Sequence, residues 1–333
     1  MTRIAINGFG RIGRNVLRAL LERDSKLEIV AVNDLADPTA LARLLAFDST
    51  SGRLGRPVTV EGDTIVVDGR RIKVLAERVP ADLPWKELGV DLVLEATGRF
   101  TSAEAAKAHL AAGAKKVLVG APSDGADVTI AVGVNSDAYD PAAHTIVSNA
   151  SCTTNALAPL AQVLDELAGI EHGFMTTVHA YTQEQNLQDG PHRDARRARA
   201  AAVNIVPTTT GAAKAIGKVL PNLDGKLSGD SIRVPVPVGS IVELNTVVAR
   251  DVTREQVLEA YRAAANGRLA GVLEYSEDAL VSSDIVGNPA SSIFDSALTR
   301  VEGRNIKVVA WYDNEWGFSN RVIDTLELLA ATV

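Results

Sequence analysis

The sequence predicts an α/β protein with two domains: a doubly wound parallel sheet and an α+β domain whose sheet is mostly antiparallel or mixed. Three observations predict this fold. The chain has 333 residues, the length of about two ordinary domains. Short apolar strand patterns alternate with helical patterns up to about residue 150. After that residue the strand patterns lengthen and their apolar residues alternate.

The first half shows the alternation of strands and helices that builds parallel βαβ units. Strands are expected at 3–7, 28–33, 91–96, 116–119, 128–132 and 145–148, and helices at 15–23, at 39–47 and from 102 onward. Residues 65–67 and 72–74 flank Asp68-Gly69, a pair suited to a tight primed turn. We therefore expect a hairpin inserted in this sheet.

The second half predicts longer strands and three helices. The strands are expected at 173–180, 231–238, 241–249 and 305–312, and the helices at 211–220, 253–265 and 320–331. Residues 183–206 are polar and basic without a clear period, which predicts a long loop. Loops of that length are usually functional or disordered.

Composition excludes several classes of protein. With 46% hydrophobic and 23% charged residues the chain is not globally disordered. Its single cysteine, Cys152, excludes an intrachain disulfide and a cysteine-cluster metal site, and we expect no metal. A net charge of −7 argues against nucleic-acid binding. The sequence has neither an 18-residue apolar run nor a signal-like start, so we expect a cytoplasmic protein without a membrane partner.

A glycine motif, Gly8-Phe9-Gly10-Arg11-Ile12-Gly13, lies between the first strand and the first helix. Gly8 permits the tight turn, Gly10 lets the backbone approach a pyrophosphate, and Gly13 allows close packing of helix and strand. Asp34 follows 21 residues after Gly13, where a carboxylate accepts from ribose hydroxyls and repels a 2′-phosphate. Strand, glycines and spacing together predict a Rossmann-type domain that prefers NAD. The alternative for Asp34 is a helix N-cap or turn residue.

Cys152 lies in a polar stretch that precedes an apolar-periodic segment. Ser151 is a good N-cap, which places Cys152 in the first turn of a helix, where the helix dipole favours a thiolate. Pro159 is expected to end or kink this helix early. The alternative is that the lone cysteine is a small buried hydrophobe.

His179 is the candidate base for this thiol, because it ends a strand that follows the Cys152 helix. Adjacent strands joined by a helix bring their carboxyl ends to one edge of a sheet. The alternative, a hydrogen-bonded core histidine, stays open from spacing alone. His109 is expected in an ordinary surface-type helix, and we assign no catalytic role to His144 or His172, which lie next to turns.

Three segments are candidates for binding an anion. The run 192–199 is rich in arginine, which suits phosphate but also fits a solvated, internally paired surface. Thr208-Thr209-Thr210-Gly211 precedes a helix and is either a phosphate cradle or a simple cap. Arg233 interrupts an apolar strand and needs a partner if buried.

The motifs together closely resemble those of phosphorylating glyceraldehyde-3-phosphate dehydrogenases of the NAD-preferring bacterial type. The resemblance spans essentially the whole chain. It is carried by residues 6–14, 151–155, 177–182, 233–237 and 311–317. The stretch Ser151-Cys152-Thr153-Thr154-Asn155 is the most specific of these.

The resemblance implies a glycolytic enzyme that converts glyceraldehyde 3-phosphate, inorganic phosphate and NAD into 1,3-bisphosphoglycerate. Cys152 would form a thiohemiacetal and then a thioester, with His179 as base. Thr182 and Arg233 would hold the substrate phosphate, and the attacking phosphate would be held by Ser151, Thr153, Arg197, Thr210 and Gly211. The implied NAD contacts are Gly8, Gly10, Arg11, Ile12, Gly13, Asp34, Arg78, Thr97, Gly120 and Asn314.

The resemblance also implies the domain limits and the assembly. Residues 1–151 and 315–333 would form the NAD-binding domain and residues 152–314 the catalytic domain. The loop at 183–206 would pack between the subunits of a homotetramer. The chain departs from the family pattern at Ala156, Gly120 and Phe318. The last two put fine cofactor affinity in question.

Three other functions remain open at this point. An erythrose-4-phosphate dehydrogenase has overlapping motifs. Another cysteine-dependent aldehyde dehydrogenase of this fold, such as a semialdehyde dehydrogenase, is disfavoured by Thr153-Thr154-Asn155. A moonlighting nucleotide- or RNA-binding protein is the non-enzymatic alternative, although Cys152 and His179 argue against loss of catalysis.

Overall fold

The computed structural model describes residues 1–333, which form two compact units. The first unit comprises residues 1–130, 136–150 and 319–333, and the second comprises residues 131–135 and 151–318. No helix has both the length and the apolar character needed to cross a membrane.

The first unit is built on a nine-stranded sheet. Its elements are β1 (Thr2–Asn7), α1 (Arg11–Leu21), β2 (Leu27–Asn33), α2 (Pro38–Ala46), β3 (Phe47–Asp48), β4 (Gly52–Arg53), β5 (Val58–Glu61), β6 (Thr64–Val67), β7 (Arg70–Leu75), β8 (Leu92–Glu95), α3 (Ala103–Ala111), β9 (Lys116–Val119), β10 (Val128–Thr129) and β11 (Ile146–Ser148). The strand order is β10-β11-β9-β8-β1-β2-β7-β6-β5. The first seven strands in this order are parallel. The predicted doubly wound parallel sheet is confirmed.

Strand β1 is the point where the winding of this sheet reverses, because it lies between β2 and β8. In sheets of this kind, ligands bind at the carboxyl ends of the strands beside such a reversal. The predicted inserted hairpin is also present, as β6 and β7. Its turn has positive φ at Asp68 (52°) and Gly69 (76°), as a primed turn requires.

The second unit is built on a mixed sheet, as predicted. Its elements are α4 (Cys152–Ala168), β12 (Ile170–Ala180), β13 (Val206–Thr209), α5 (Ala212–Val219), β14 (Leu227–Val234), β15 (Ser240–Val248), α6 (Arg254–Asn266), β16 (Leu273–Ser276), β17 (Ser292–Asp295), β18 (Arg300–Glu302), β19 (Asn305–Tyr312) and the start of α7 (Trp316–Ala330). The strand order is β13-β14-β12-β15-β19-β17-β16. Strand β12 runs parallel to β14 and antiparallel to β15. Helices α4, α5 and α6 contribute to one large apolar core with these strands.

Helix α4 runs without a break from Cys152 to Ala168, so the expectation that Pro159 ends it early is wrong. Proline lacks the N–H that would bond to the carbonyl four residues earlier. Residues 153–161 are nonetheless all buried. Tertiary packing of this kind outweighs one missing hydrogen bond in a helix.

Candidate active site

The turn between β1 and α1 has the geometry that a dinucleotide phosphate requires. Gly8 has a φ of +98°, and a Cβ there would lie 2.6 Å from the backbone nitrogen of Thr97. A Cβ on Gly13 would lie 2.3 Å from the carbonyl oxygen of Gly8. Gly10 caps α1 and has open space at its Cβ position. An anion can therefore approach the N–H groups at the start of the helix.

Asp34 directly follows β2 and faces this turn. Its Oδ2 accepts the N–H of Phe9 at 2.9 Å, and its Oδ1 accepts the N–H of Ala36 at 3.2 Å. Helix α2 is capped by Asp37, so Asp34 is not its N-cap, but the bond from Ala36 makes Asp34 a turn residue as well. A carboxylate has lone pairs for further donors, and these suit the hydroxyls of a ribose.

The other predicted cofactor residues of the first unit differ in how free their side chains are. The Arg11 guanidinium pairs with Asp48 and donates to Thr50 Oγ1 at 2.6 Å. Thr97 donates its hydroxyl to Glu95. Ile12 is half-buried and Arg78 is exposed. A Cβ on Gly120 would lie 3.3 Å from the carbonyl oxygen of Glu95, so a larger residue would fit tightly.

Cys152 and His179 lie side by side in the second unit. Ser151 is the N-cap of α4, as predicted, and its Oγ accepts the N–H of Thr154 at 3.0 Å. Cys152 is therefore the first residue of the helix. His179 lies near the end of β12, and its Nε2 is 3.4 Å from Cys152 Sγ.

The two partners of His179 Nδ1 make opposite demands on the proton of the ring. Nδ1 lies 2.6 Å from the carbonyl oxygen of Ala180 and 2.6 Å from Arg233 Nη1. Arg233 Nη1 also donates to the Ala180 carbonyl at 3.1 Å. If Nδ1 carries the proton, it donates to that carbonyl and leaves Nε2 as an acceptor facing the sulfur. If Nδ1 is unprotonated, it accepts from Arg233, whose guanidinium only donates. A base at Nε2 requires the first of these arrangements.

Burial opposes charge on each of these two groups taken alone. It raises the pKa of the Cys152 thiol, and the Arg233 cation and the contacts with Thr153 oppose that rise. Burial and the Arg233 cation lower the pKa of His179 to about 3. The backbone N–H groups of Cys152 and Thr153 at the helix start lower the pKa of the thiol, as expected, but burial outweighs them. Moving the thiol proton to Nε2 creates two opposite charges in contact, so the groups titrate as a pair.

A cluster of polar groups suited to an anion lies beside His179. Arg197 Nη1 and Arg233 Nη2 lie 3.1 and 3.2 Å from the same carboxylate oxygen, Oε1 of Glu184. Thr182 Oγ1 and Arg233 Nε are buried without a hydrogen-bond partner. Glu184 was not singled out from the sequence, because one carboxylate in a polar loop carries no signal of its own.

The remaining predicted residues of the second unit already accept hydrogen bonds within it or cap a helix. Thr210 Oγ1 accepts the N–H of Ala212 at 3.2 Å, and Gly211 caps α5. Asn314 Oδ1 accepts the N–H of Gly239 at 3.1 Å and the hydroxyl of Ser240 at 2.9 Å.

Tyr312 is a further residue of this site; it lies in the stretch 311–317 that carries the resemblance, but no site role was predicted for it. Its hydroxyl lies 2.9 Å from Thr153 Oγ1 and 2.7 Å from Thr177 Oγ1. Its ring meets the His179 ring edge to face, with centroids 6.0 Å apart. Tyr312 ends a strand predicted from its apolar alternation, and that pattern does not separate a core tyrosine from one that supports a base.

Considered one at a time, the two units define a class of protein: an enzyme with a dinucleotide-binding domain and a cysteine nucleophile paired with histidine. Residues 2–103 match the family model described as glyceraldehyde 3-phosphate dehydrogenase, NAD binding domain. Residues 151–314 match the model described as glyceraldehyde 3-phosphate dehydrogenase, C-terminal domain. The chain belongs to the glyceraldehyde-3-phosphate dehydrogenase family.

Curated relatives agree with this assignment over almost the full length. The chain is 86% identical over 331 residues to a glyceraldehyde-3-phosphate dehydrogenase of Kitasatospora aureofaciens, covering 99% of this chain and 100% of the relative. It is 59% identical to glyceraldehyde-3-phosphate dehydrogenase 2 of Streptomyces arenae, with 99% of both chains covered. It is 57% identical to a glyceraldehyde-3-phosphate dehydrogenase of Mycobacterium avium, again with 99% of both chains covered.

Proposed function

We propose that this chain is an NAD-dependent oxidoreductase that oxidises glyceraldehyde 3-phosphate and joins inorganic phosphate to the product, giving 1,3-bisphosphoglycerate in glycolysis. The 3.4 Å contact between Cys152 Sγ and His179 Nε2 carries the proposal. Arg233 supports it, because a cation beside this pair suits a phosphorylated substrate.

Cys152 and His179 would carry the covalent steps. The sulfur attacks the aldehyde carbon, and its proton passes through His179 Nε2 to the carbonyl oxygen, giving a thiohemiacetal. NAD, when bound, supplies a hydride acceptor. His179 takes the hydroxyl proton as the hydride leaves, and the carbon becomes a thioester. A phosphate oxygen then attacks that carbon and releases the Cys152 thiolate.

Two groups of residues would hold the phosphates. We assign the substrate phosphate to Thr182 and Arg233, each of which has a buried donor without a partner. We assign the attacking phosphate to a set that is partly engaged already: Ser151, Thr153, Arg197, Thr210 and Gly211. A hydroxyl both donates and accepts, so Ser151 and Thr153 can add a phosphate contact to the partners they have.

The residues of the first unit fit NAD. The open backbone at Gly10 suits the pyrophosphate, and Asp34 suits the ribose hydroxyls. The further assignments rest on the resemblance: Gly8, Arg11, Ile12, Gly13, Arg78, Thr97, Gly120 and Asn314. We also propose the limits 1–151 with 315–333 for the NAD-binding domain and 152–314 for the catalytic domain.

We further propose a homotetramer in the cytoplasm. Three large apolar side chains in the long loop at 183–206 support the assembly. Leu187, Val203 and Ile205 are 80%, 76% and 69% exposed in the single chain. Three exposed apolar side chains of this size in one loop fit a surface that another subunit covers. Light scattering behind a sizing column gives the assembly mass directly. The cytoplasmic location rests on the sequence and the resemblance alone.

The test is an assay of NADH formation from glyceraldehyde 3-phosphate, with and without inorganic phosphate. We expect turnover that requires phosphate and falls strongly when NADP replaces NAD. Faster turnover of erythrose 4-phosphate would favour that related dehydrogenase instead. Full-rate turnover without phosphate would favour another aldehyde dehydrogenase of this fold.

A further inference from the structure

A buried polar network lies behind the glycine turn, and the proposed chemistry does not use it. Glu95 ends β8 and is 1% exposed, and His109 on α3 is 0% exposed. Glu95 Oε2 lies 3.1 Å from His109 Nε2 and accepts the Nδ2–H of Asn7 at 2.6 Å. A buried carboxylate is costly unless it is hydrogen-bonded and held in good geometry.

Trp85 determines which nitrogen of His109 carries the proton. Its Nε1 lies 3.1 Å from His109 Nδ1, and an indole nitrogen only donates. His109 Nδ1 is therefore an acceptor. The proton of the neutral ring lies on Nε2 and is donated to Glu95. The hydrogen bonds from Trp85 to His109 and from His109 to Glu95 thus have a defined direction. The 3.5 Å approach of Asn7 Nδ2 to His109 Nε2 brings two donors together and is not a hydrogen bond.

The network reaches residues next to the proposed cofactor contacts. Glu95 Oε1 accepts the N–H of Thr97 at 2.8 Å. Asn7 Oδ1 accepts from Asn33 at 2.7 Å, and Asn33 exchanges two hydrogen bonds of 2.8 Å with the backbone of Glu77. Apart from Glu95, each of these residues is, or directly precedes, a residue assigned to NAD. These contacts are Gly8, Asp34, Arg78 and Thr97.

The backbone is packed so closely at the glycine turn that a shift of this network would also shift the turn. The backbone of Thr97 lies where a Cβ of Gly8 would stand, and the N–H of Ala96 donates to the carbonyl of Asn7 at 2.8 Å. A rotation of the Glu95 carboxylate would release Thr97 and Asn7 together. The turn and the loop after β8 would then move relative to each other.

We propose that His109 is a positioning residue for the dinucleotide. Through Nε2–H it holds the Glu95 carboxylate in one orientation, and Glu95 holds the turn at Gly8 and the loop at Thr97. This rests on the proposed cofactor site. His109→Asn reaches only the position of Nδ1 and removes the Nε2 donor. We expect it to raise the Kd for NAD about tenfold, since small displacements at a positioned site have effects of this order.

His109→Gln is the rescue variant, because its amide nitrogen reaches the position of Nε2. We expect its Kd for NAD to stay within about threefold of the wild type. Trp85→Phe keeps an aromatic side chain but is smaller and lacks the N–H donor that sets the tautomer, so its Tm is compared with that of Ile72→Val, and it covers the case in which His109→Asn does not fold. Ile72→Val, a buried change in β7 outside the network, is the control for loss of stability.

The experiment is a calorimetric titration of each variant with NAD, together with its Tm and the rate of Cys152 alkylation without NAD. Weaker NAD binding in His109→Asn and Trp85→Phe, with rescue by His109→Gln and an unchanged alkylation rate, supports the proposal. Wild-type Kd values in both disruptive variants would overturn it. Equal weakening in Ile72→Val would also overturn it, because stability alone would then explain the effect.

Asp34→Ala in the same titration separates this proposal from the one on which it rests. If Asp34→Ala weakens NAD binding and His109→Asn does not, only the positioning role fails. If Asp34→Ala binds NAD as the wild type does, the proposed cofactor site itself fails.

Discussion

The two units differ in whether the polar groups of their sites already have partners. In the first unit Asn7, Glu95 and Thr97 satisfy one another, and the backbone at the glycine turn is left open to a ligand. In the second unit Thr182 Oγ1 and Arg233 Nε are buried with no partner. A cofactor bound through fixed backbone groups requires a site that is already built. A phosphate that arrives and leaves requires donors that are free to receive it.

The two buried histidines differ in how far their partners fix the proton. His109 Nδ1 accepts from the indole of Trp85, which places its proton on Nε2 for donation to Glu95. His179 Nδ1 lies between a carbonyl oxygen, which accepts, and Arg233 Nη1, which donates. The partners of His109 hold its proton on one nitrogen, whereas those of His179 allow it on either, which suits a residue that takes up and returns a proton.

Replacing the nucleophile is expected to have the largest effect, because it removes catalysis in the second unit and leaves NAD binding by the first unit intact. We expect Cys152→Ser to lower turnover by at least about 10³-fold, because a serine hydroxyl is a far weaker nucleophile than a thiolate. The Kd for NAD is expected to change little. Steady-state rates test the loss of turnover, and an NAD titration tests the unchanged Kd. Near-normal turnover would refute the nucleophile assignment.

Replacing the base tests whether His179 activates the thiol. We expect His179→Asn to slow the chemical step by about 10²–10⁴-fold, the usual contribution of a general base. Single-turnover NADH formation measures this step. His172→Asn is the matched control, because His172 is an exposed histidine of the same strand, and it is expected to leave the step near normal.

The pH dependence of alkylation by iodoacetamide sharpens this test. Burial raises the pKa of the Cys152 thiol, so without its base the thiolate forms only at high pH and is lost as the pH falls through that pKa. In His179→Asn we expect the alkylation rate to rise about tenfold per pH unit through the neutral range. In the wild type the thiol proton can move to His179, so the rate should level off at lower pH. Identical profiles would show that His179 does not assist ionisation.

Replacing Arg233, which we assign to the substrate phosphate, is expected to have an intermediate effect. Arg233→Lys keeps the charge but loses the planar set of donors, and we expect the KM for glyceraldehyde 3-phosphate to rise about tenfold or more. Arg199→Lys is the matched control, because Arg199 pairs with Asp189 at the surface. An equal rise in both variants would indicate a general charge effect.

Neutralising the Glu184 carboxylate is expected to have the smallest effect. Glu184 Oε1 contacts both Arg197 and Arg233, so it competes with an incoming phosphate for the same donors. We expect Glu184→Gln to lower the KM for inorganic phosphate or for the aldehyde about two- to fivefold, in line with the size of an exposed ion pair. Weaker phosphate binding in this variant would show that Glu184 supports the site.

The sequence indicated the parts of the molecule that follow from local chemistry. Ser151 as the N-cap that places Cys152 at a helix start and the primed turn at Asp68-Gly69 are read from neighbouring residues. The contacts of Tyr312 and Glu184 were not predicted, since they join segments far apart in the chain. Pro159 was misjudged for the same reason: the packing that overrides its local preference comes from other elements.

The most direct test of the central claim is a rapid-mixing measurement without inorganic phosphate. Enzyme loaded with NAD is mixed with glyceraldehyde 3-phosphate, and NADH is followed in time. We predict a burst of one NADH per Cys152 followed by near arrest, because the thioester has no acceptor, and added phosphate should restore turnover. Continuous turnover without phosphate, or a burst that persists in Cys152→Ser, would contradict the account.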